Sequence, residues 1–281
     1  MAQTLISTGI SRNGVPYNRL GRGPRTLVVF QGLVFNNEPP SGLSARMMLG
    51  NYAFLQEEYT VYLATRKTGL PESYSIKDMA DDYAVMIQEE FDGPVDVLGI
   101  STGGAIAQHF AAGHADLVRR LVINASAYTL NDAAKEVQMR VGRLAAQGKW
   151  REAAKVLMDF ALAPLRFSGV ISMIASLMFA ATAPDDPSDL VVTIEAEDKH
   201  NFRDRLGEIK APTLVIAGAR DPFYTEESLR ETARGIPNAQ RILYPEKGHA
   251  PTGKQFSQDV LAFLDPDNDL TVPSGAAPTR S

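Results

Sequence analysis

A run of apolar and small residues in the first half of the chain constrains the fold more than any other feature. Residues 95–107 read VDVLGISTGGAIA, which is a β-rich run, then Gly-x-Ser-x-Gly-Gly, then a helical run of small residues. This order predicts a nucleophile elbow, a sharp strand-to-helix turn that exposes Ser101 at the edge of a sheet. Gly99, Gly103 and Gly104 suit such a turn, because a Cβ at these positions would meet the strand or the helix.

A glycine-rich turn that cradles phosphate is the alternative interpretation of the same residues. Neither G-x-G-x-x-G nor G-x-x-x-x-G-K-S/T is present, and no lysine follows the turn. The strand before Ser101 and the helix after it are the context that an elbow requires, so we favour the elbow.

Composition narrows the functional classes. The length of 281 residues suits one α/β domain, or a core domain with an insertion. The net charge of −5 and the lack of a basic stripe argue against a nucleic-acid partner. The absence of cysteine excludes disulfides and thiol catalysis. The four histidines form no dense ligand motif, so we expect neither a metal nor another cofactor.

The chain shows no sign of membrane targeting. Its first residues, MAQTLIS, lack the basic start and the apolar stretch of a signal peptide. The most apolar run, residues 169–183, is shorter than the roughly 20 residues that cross a bilayer. We therefore expect no membrane span and a cytoplasmic protein.

Strand-like and helix-like runs alternate in the first half of the chain, and a helical block follows. Strands are predicted at residues 4–9, 15–19, 26–30, 59–64, 95–100, 120–124, 212–218 and 240–244. Helices are predicted at residues 44–55, 76–91, 102–113, 130–147, 149–162, 168–182, 189–205, 225–234 and 252–264.

This alternation predicts an α/β fold with a mostly parallel sheet. Residues 1–126 and 205–264 are expected to form the core, and residues 127–204 a helical insertion that we interpret as a cap. Residues 265–281, rich in Pro, Asp and Ser, are expected to be a disordered tail.

A serine nucleophile needs a base to remove its proton and a carboxylate to orient that base. With this elbow motif the expected chain order is Ser, then Asp or Glu, then His. Asp221 follows the strand at residues 212–218, and His249 follows the strand at residues 240–244. Ser101, Asp221 and His249 are thus the candidate catalytic residues, although Asp221 as a turn former and His249 as a surface residue remain alternatives.

The competing residues fit less well. Asn124 ends an earlier strand where an acid would also serve, but it is an amide. Asp198 lies within a predicted helix of the insertion. His109 and His114 lie on or at the end of the elbow helix and are expected to face away from its start. His200 belongs to the insertion and is expected to be a surface or lid residue.

Taken together, these motifs make the chain resemble the α/β-hydrolase superfamily, in its esterase, lactonase and haloperoxidase-like branch. The resemblance covers residues 15–126 and 205–264. Arg66, Gly69 and residues 74–82 look like that branch's loop and helix after the fourth strand, and residues 212–222 and 248–249 look like its acid and histidine segments. It implies an eight-stranded, mostly parallel sheet with a helical cap inserted between strands six and seven.

The resemblance also implies an oxyanion hole. By position, its donors would be the backbone N–H groups of Leu33 and Thr102. Many members carry His-Gly before this point, whereas this chain has Gln31-Gly32. A glutamine removes no backbone donor, and its amide is a candidate contact for the substrate.

These features together predict a serine hydrolase that cleaves a small or medium apolar ester or lactone through an acyl-enzyme. The apolar residues of the insertion either line a pocket for such a substrate or pack one helix against another. A C–C bond hydrolase, a cofactor-free perhydrolase and a low-turnover ligand-binding member of the fold remain alternatives. The sequence leaves the oligomeric state open, with a homodimer through an exposed cap face among the options.

Overall fold

A computed structural model describes residues 6–163, 168–265 and 267. The described residues form one eight-stranded sheet in the order β1-β2-β4-β3-β5-β6-β7-β8. The strands are β1 (Ile6–Ile10), β2 (Pro16–Leu20), β3 (Arg25–Phe30), β4 (Tyr59–Ala64), β5 (Val95–Ile100), β6 (Val118–Asn124), β7 (Thr213–Gly218) and β8 (Ala239–Tyr244). The pairs β1–β2 and β2–β4 are antiparallel. Every other pair is parallel, because helical crossovers join those strands.

Nine helices accompany the sheet in the described part of the chain. They are α1 (Gly42–Gly50), α2 (Ile76–Glu90), α3 (Thr102–Gly113), α4 (Asp132–Ala146), α5 (Trp150–Leu162), α6 (Ser168–Ala180), α7 (Ser188–Asp198), α8 (Glu226–Gly235) and α9 (Lys254–Leu264).

Helices cover both faces of the sheet, so its central strands are apolar along most of their length. In β3 the residues from Leu27 to Phe30 are fully buried. One apolar cluster joins one sheet face to α2, α3 and α8, and a second joins the other face to α1 and α9. This sandwich fixes the carboxyl ends of β3, β5, β7 and β8 at one edge.

Helices α4 to α7 lie between β6 and β7, in the segment for which the sequence predicts a cap. Helix α4 begins at Asn131, whose side chain accepts a hydrogen bond from the N–H of Ala134. Helices α4 and α7 pack together, as do α5 and α6. None of the helices in the described ranges is long and apolar enough to cross a membrane.

Helix α6 agrees with neither interpretation of the apolar residues in the insertion, which were a substrate pocket or the packing of one helix against another. Six large apolar side chains on it are between 42% and 61% exposed: Val170, Ile171, Met173, Ile174, Leu177 and Met178. These six side chains therefore neither bury the helix against a neighbour nor line an enclosed pocket.

Two predicted helices are shorter than the sequence suggests. The helix predicted at 189–205 ends at Asp198, because the chain then turns and the N–H of Phe202 donates to the carbonyl of Tyr128. The helix predicted at 44–55 ends at Gly50, and a 3₁₀ turn follows at Ala53–Leu55. The disorder predicted for 265–281 falls almost entirely outside the described residues, as do positions 4 and 5 of the first predicted strand.

Candidate active site

Ser101 occupies a strained turn between β5 and α3. Its backbone has φ 51° and ψ −121°, a conformation that non-glycine residues rarely adopt. The Ser101 N–H donates to the carbonyl of Asn124 at 3.0 Å, which ties the turn to the end of β6. A Cβ at Gly103 would lie 2.0 Å from the carbonyl oxygen of Phe30, so only glycine fits where the elbow crosses the end of β3.

The predicted acid, base and nucleophile meet at the carboxyl edge of the sheet. His249 Nε2 lies 3.0 Å from Ser101 Oγ, and His249 Nδ1 lies 2.8 Å from Asp221 Oδ2. The three side chains come from loops after β5, β7 and β8, so sheet pairing brings together residues that are far apart in the chain. Their catalytic roles remain predictions, but the distances are those of a charge-assisted hydrogen-bond chain.

The Asp221 side chain is fully buried and fixed on both oxygens. Its Oδ1 accepts a hydrogen bond from the N–H of Phe223 at 2.8 Å, which leaves Oδ2 for His249. The loop that carries Asp221 is packed on the histidine loop, since the N–H of Arg220 donates to the carbonyl of Lys247. The acid and the base are therefore positioned by one packed pair of loops.

Aromatic rings fix the orientation of the imidazole. The ring of Phe223 lies 4.4 Å from that of His249, and the ring of Tyr224 stacks 6.3 Å away with an interplanar angle of 20°. Tyr224 is 2% exposed, and burial raises the pKa of its hydroxyl well above the ordinary value, so it stays protonated.

The loop expected to supply part of the oxyanion hole lies against the elbow. A Cβ on Gly32 would be 3.4 Å from the Cβ of Ser101. Gln31, which is half-buried, donates its N–H to the carbonyl of Ala64. Arg66 Nη1 donates to the carbonyls of Gln31 and Gly32, each at 3.1 Å. Leu33 follows this braced turn directly, so its backbone is held next to the candidate nucleophile.

Thr102 is the first residue of α3 and follows Ser101 directly in the chain. Its side-chain hydroxyl points away into the protein and donates to Glu197 Oε2 at 2.7 Å. This leaves the backbone N–H of Thr102 as the group predicted to face the substrate. The donor roles of Leu33 and Thr102 are predictions that follow from their positions.

Glu197 is the residue near the site that the sequence reasoning missed. It is fully buried on α7, and burial raises the pKa of its carboxyl, while hydrogen bonds from Thr102 and Gln138 and the charge of Arg66 oppose that rise. A sequence signal existed: Glu197 lies three residues after Ile194 and seven after Leu190, on the buried stripe of the helix. An acid on such a stripe needs a polar partner.

The other candidates lie elsewhere. His109 and His200 pack against each other with ring centroids 5.4 Å apart, and His114 pairs with Asp81. His200 follows α7 of the insertion and is 5% exposed, so of the two expectations, a surface or a lid residue, the surface position is wrong. The chain turns inward after α7 and buries it. Asp198 ends α7 and is half-buried.

No group of three or more His, Cys, Asp or Glu side chains within the described ranges is arranged to hold a metal ion.

Comparison with known proteins decides the family. A sequence profile of the alpha/beta hydrolase family matches residues 39–262, most of the chain. The chain belongs to the alpha/beta hydrolase family. The family resemblance and the fold class predicted from the sequence are thereby confirmed.

Relatives of this alpha/beta hydrolase include named enzymes. It is 28% identical over 177 residues to a pimeloyl-(acyl-carrier protein) methyl ester esterase of Chromobacterium violaceum, a match covering 61% of this chain and 69% of the relative. A hydrolase from Pseudomonas aeruginosa has a similar structure, with a TM-score of 0.75 and 19% identity over 92% of this chain and 98% of that one. The enol-lactonase from Burkholderia xenovorans gives a TM-score of 0.74 and 20% identity over 92% and 99%.

Proposed function

We propose that this alpha/beta hydrolase cleaves carboxylic esters through an acyl-enzyme on Ser101. The observation that carries the proposal is the hydrogen-bond chain from Ser101 Oγ to His249 Nε2 at 3.0 Å and from His249 Nδ1 to Asp221 Oδ2 at 2.8 Å. A serine that only bound a ligand would need neither a base nor a buried acid.

The reaction runs in two halves. Ser101 Oγ attacks the ester carbonyl while His249 Nε2 takes its proton, and Asp221 stabilises the resulting imidazolium. The N–H groups of Leu33 and Thr102 donate to the oxyanion, and loss of one such donor costs about 3–4 kcal/mol in comparable sites. His249 then protonates the leaving alcohol. Water, activated by the same imidazole, attacks the acyl-enzyme and releases the acid and free Ser101.

The surroundings of the base favour a small or medium apolar ester or lactone as substrate. Phe160 of α5 packs on Phe223 with ring centroids 5.0 Å apart, and Phe223 lies against His249. The inserted helices thus place apolar side chains beside the reacting groups, where they would contact an apolar acyl or alkyl group. The named relatives, a methyl ester esterase and an enol-lactonase, support an ester or a lactone.

Beyond the oxyanion loop a second apolar contact supports the same substrate class. Phe35 follows Leu33 by two residues and packs on Phe179 of α6 and on Trp150 of α5, at 4.6 and 5.3 Å between ring centroids. Aromatic side chains from the inserted helices therefore pack on the loop that follows Leu33 as well as on the loop that carries the candidate acid.

Two experiments test the proposal. A fluorophosphonate probe should label the wild type, and Ser101→Ala should abolish labelling without lowering the melting temperature. Among p-nitrophenyl esters, butyrate and hexanoate should be hydrolysed with a higher kcat/KM than the anionic hemisuccinate. A wild type that the probe does not label would refute the serine mechanism, and a preference for the charged ester would refute the apolar substrate.

The same triad serves the remaining alternatives. A C–C bond hydrolase would cleave a vinylogous diketone faster than any ester, and a perhydrolase would transfer the acyl group to hydrogen peroxide in preference to water. A low-turnover binding member would be labelled but would hydrolyse none of the esters. Parallel assays on one preparation separate these outcomes.

A further inference from the structure

A buried carboxyl lies directly behind the predicted oxyanion hole. Glu197, on α7 of the inserted helices, is fully buried, and its Oε2 accepts a hydrogen bond from Thr102 Oγ1 at 2.7 Å. The backbone N–H of Thr102 is the donor expected on that side of the hole. Glu197 therefore contacts the residue whose backbone N–H is expected to donate to the reacting oxygen, although the two residues are 95 positions apart in the chain.

Glu197 also contacts the residue that supports the imidazole. Tyr224 places its hydroxyl 3.5 Å from Glu197 Oε1, and its ring stacks on His249. Gln138, on α4, lowers the pKa of the same carboxyl. The Glu197 carboxyl is thus hydrogen-bonded to the elbow and lies next to the tyrosine that supports the base.

A buried cation contacts the other half of the predicted hole. Arg66 is 2% exposed and binds the carbonyls of Gln31 and Gly32 through Nη1. Its Nε and Nη2 are buried with no hydrogen-bond partner among the described residues. The charge of Arg66 opposes the rise in the pKa of the Glu197 carboxyl that burial causes. Two buried polar side chains therefore contact the two sides of the predicted hole: Arg66 binds the turn before Leu33, and Glu197 binds Thr102.

Helix α7 is attached to the core at both ends, and the two attachments differ. Near its start, Asp189 accepts hydrogen bonds from the N–H groups of Gly69 and Leu70, at 3.0 and 2.7 Å. Near its end, Glu197 contacts Thr102 of the elbow. The first attachment anchors the helix to a loop outside the hole, whereas the second reaches the hole itself.

We propose that Glu197 is a positioning residue for the oxyanion hole: from the inserted helix α7, its carboxyl fixes Thr102, the residue that supplies one of the two predicted donors. This inference rests on the proposed function. Because the Thr102 donor must meet an oxygen that develops charge in the transition state, an error in its position lowers kcat more than it raises KM.

The test is a double-mutant cycle on full-length protein with p-nitrophenyl butyrate. Glu197→Ala and Thr102→Val each remove one partner of the 2.7 Å hydrogen bond, and Thr102→Val keeps the backbone N–H. We expect each to lower kcat about 10- to 100-fold, the scale of a small displacement of a catalytic group, with KM within about threefold of wild type. The double variant should lose no more than the worse single variant, because the two act through one contact.

Conservative replacements supply the rescue. Glu197→Gln keeps an acceptor for Thr102, and Thr102→Ser keeps the donor, so both should recover most of the lost kcat. Should Glu197→Ala fail to fold, Glu197→Gln and the two Thr102 variants still decide the question. Loss of kcat in Thr102→Val with recovery in Thr102→Ser supports the proposal, and equal kcat in the two overturns it.

Asp189→Ala is the matched control, since it removes the other attachment of the same helix. It should lower the melting temperature but leave kcat within about twofold of wild type. If Glu197→Ala likewise lowers the melting temperature and leaves kcat unchanged, Glu197 only anchors the helix and the inference fails. Additive losses in the double-mutant cycle would also overturn it.

These failures differ from failure of the proposed function. A wild type that neither reacts with a fluorophosphonate nor hydrolyses esters refutes the function. A wild type that does both, beside a Glu197→Ala variant of equal kcat, refutes the positioning role alone.

Discussion

Replacing Asp221 with asparagine should do more than remove a charge, because the hydrogen bonds around Asp221 dictate how the new amide would lie. Asp221 Oδ1 accepts the N–H of Phe223, and Oδ2 accepts from His249 Nδ1, each at 2.8 Å. The NH₂ group of an asparagine cannot accept from the Phe223 N–H, so its oxygen must take that position. Its NH₂ then points at His249 Nδ1.

That orientation forces the wrong imidazole tautomer. A donor facing Nδ1 makes Nδ1 the acceptor, so the ring proton moves to Nε2, which lies 3.0 Å from Ser101 Oγ. A protonated Nε2 cannot accept the serine proton. The same substitution in a serine protease triad lowers kcat about 10⁴-fold, which corresponds to about 5.5 kcal/mol of activation free energy.

The assay is kcat for p-nitrophenyl butyrate at pH 7.5, beside thermal unfolding of the same preparation. Asp221→Asn should lower kcat by about four orders of magnitude and slow fluorophosphonate labelling in parallel, while KM stays within a few-fold. Asp198→Asn is the control, since that residue ends α7 outside the triad, and it should retain wild-type kcat. A folded Asp221→Asn variant within tenfold of wild type would show that the tautomer argument is wrong.

Two further predictions concern stability. Gly103→Ala should cost about 3 kcal/mol or more, because its Cβ would lie 2.0 Å from the oxygen of Phe30. Gly113→Ala on the same helix, where a Cβ meets nothing within 4 Å, should be neutral or stabilising by up to about 1 kcal/mol; equal urea midpoints would refute this contrast. Burial lowers the pKa of His200 from 6.5 to about 3, so its stabilising contribution is complete above pH 6.5 and is lost as the pH falls, by roughly 5 kcal/mol in total. His200→Phe should flatten the fall in unfolding free energy between pH 7 and 4, and a slope equal to that of the wild type would contradict the assignment.

The elbow could be predicted because its determinants are local. The strand, the small residues and the start of the helix all fall within residues 95–107. The glycines are needed because a Cβ at their positions would clash with neighbouring atoms in any such turn. Asp221 and His249 could be placed on the right loops from chain order. Their hydrogen-bond distances could not be predicted, since these depend on how β7 and β8 pair.

Features that depend on distant contacts were missed. The bond between Glu197 and Thr102 joins residues 95 positions apart, and neither sequence neighbourhood indicates the other. The end of α7 was missed for the same reason, because it is set by a backbone bond to Tyr128. The exposed face of α6 could not be anticipated, since an uncharged apolar helix indicates burial.

The base follows an edge strand of the sheet. Strand β8 lies at the edge, pairs with β7, and has no fully buried residue along its length, yet His249 follows it. Edge segments of this kind detach at a lower free energy than the interior strands. If β8 detaches briefly, His249 moves away from Ser101 and catalysis stops while the rest of the protein stays folded. Inactivation on mild warming should therefore precede the main unfolding transition.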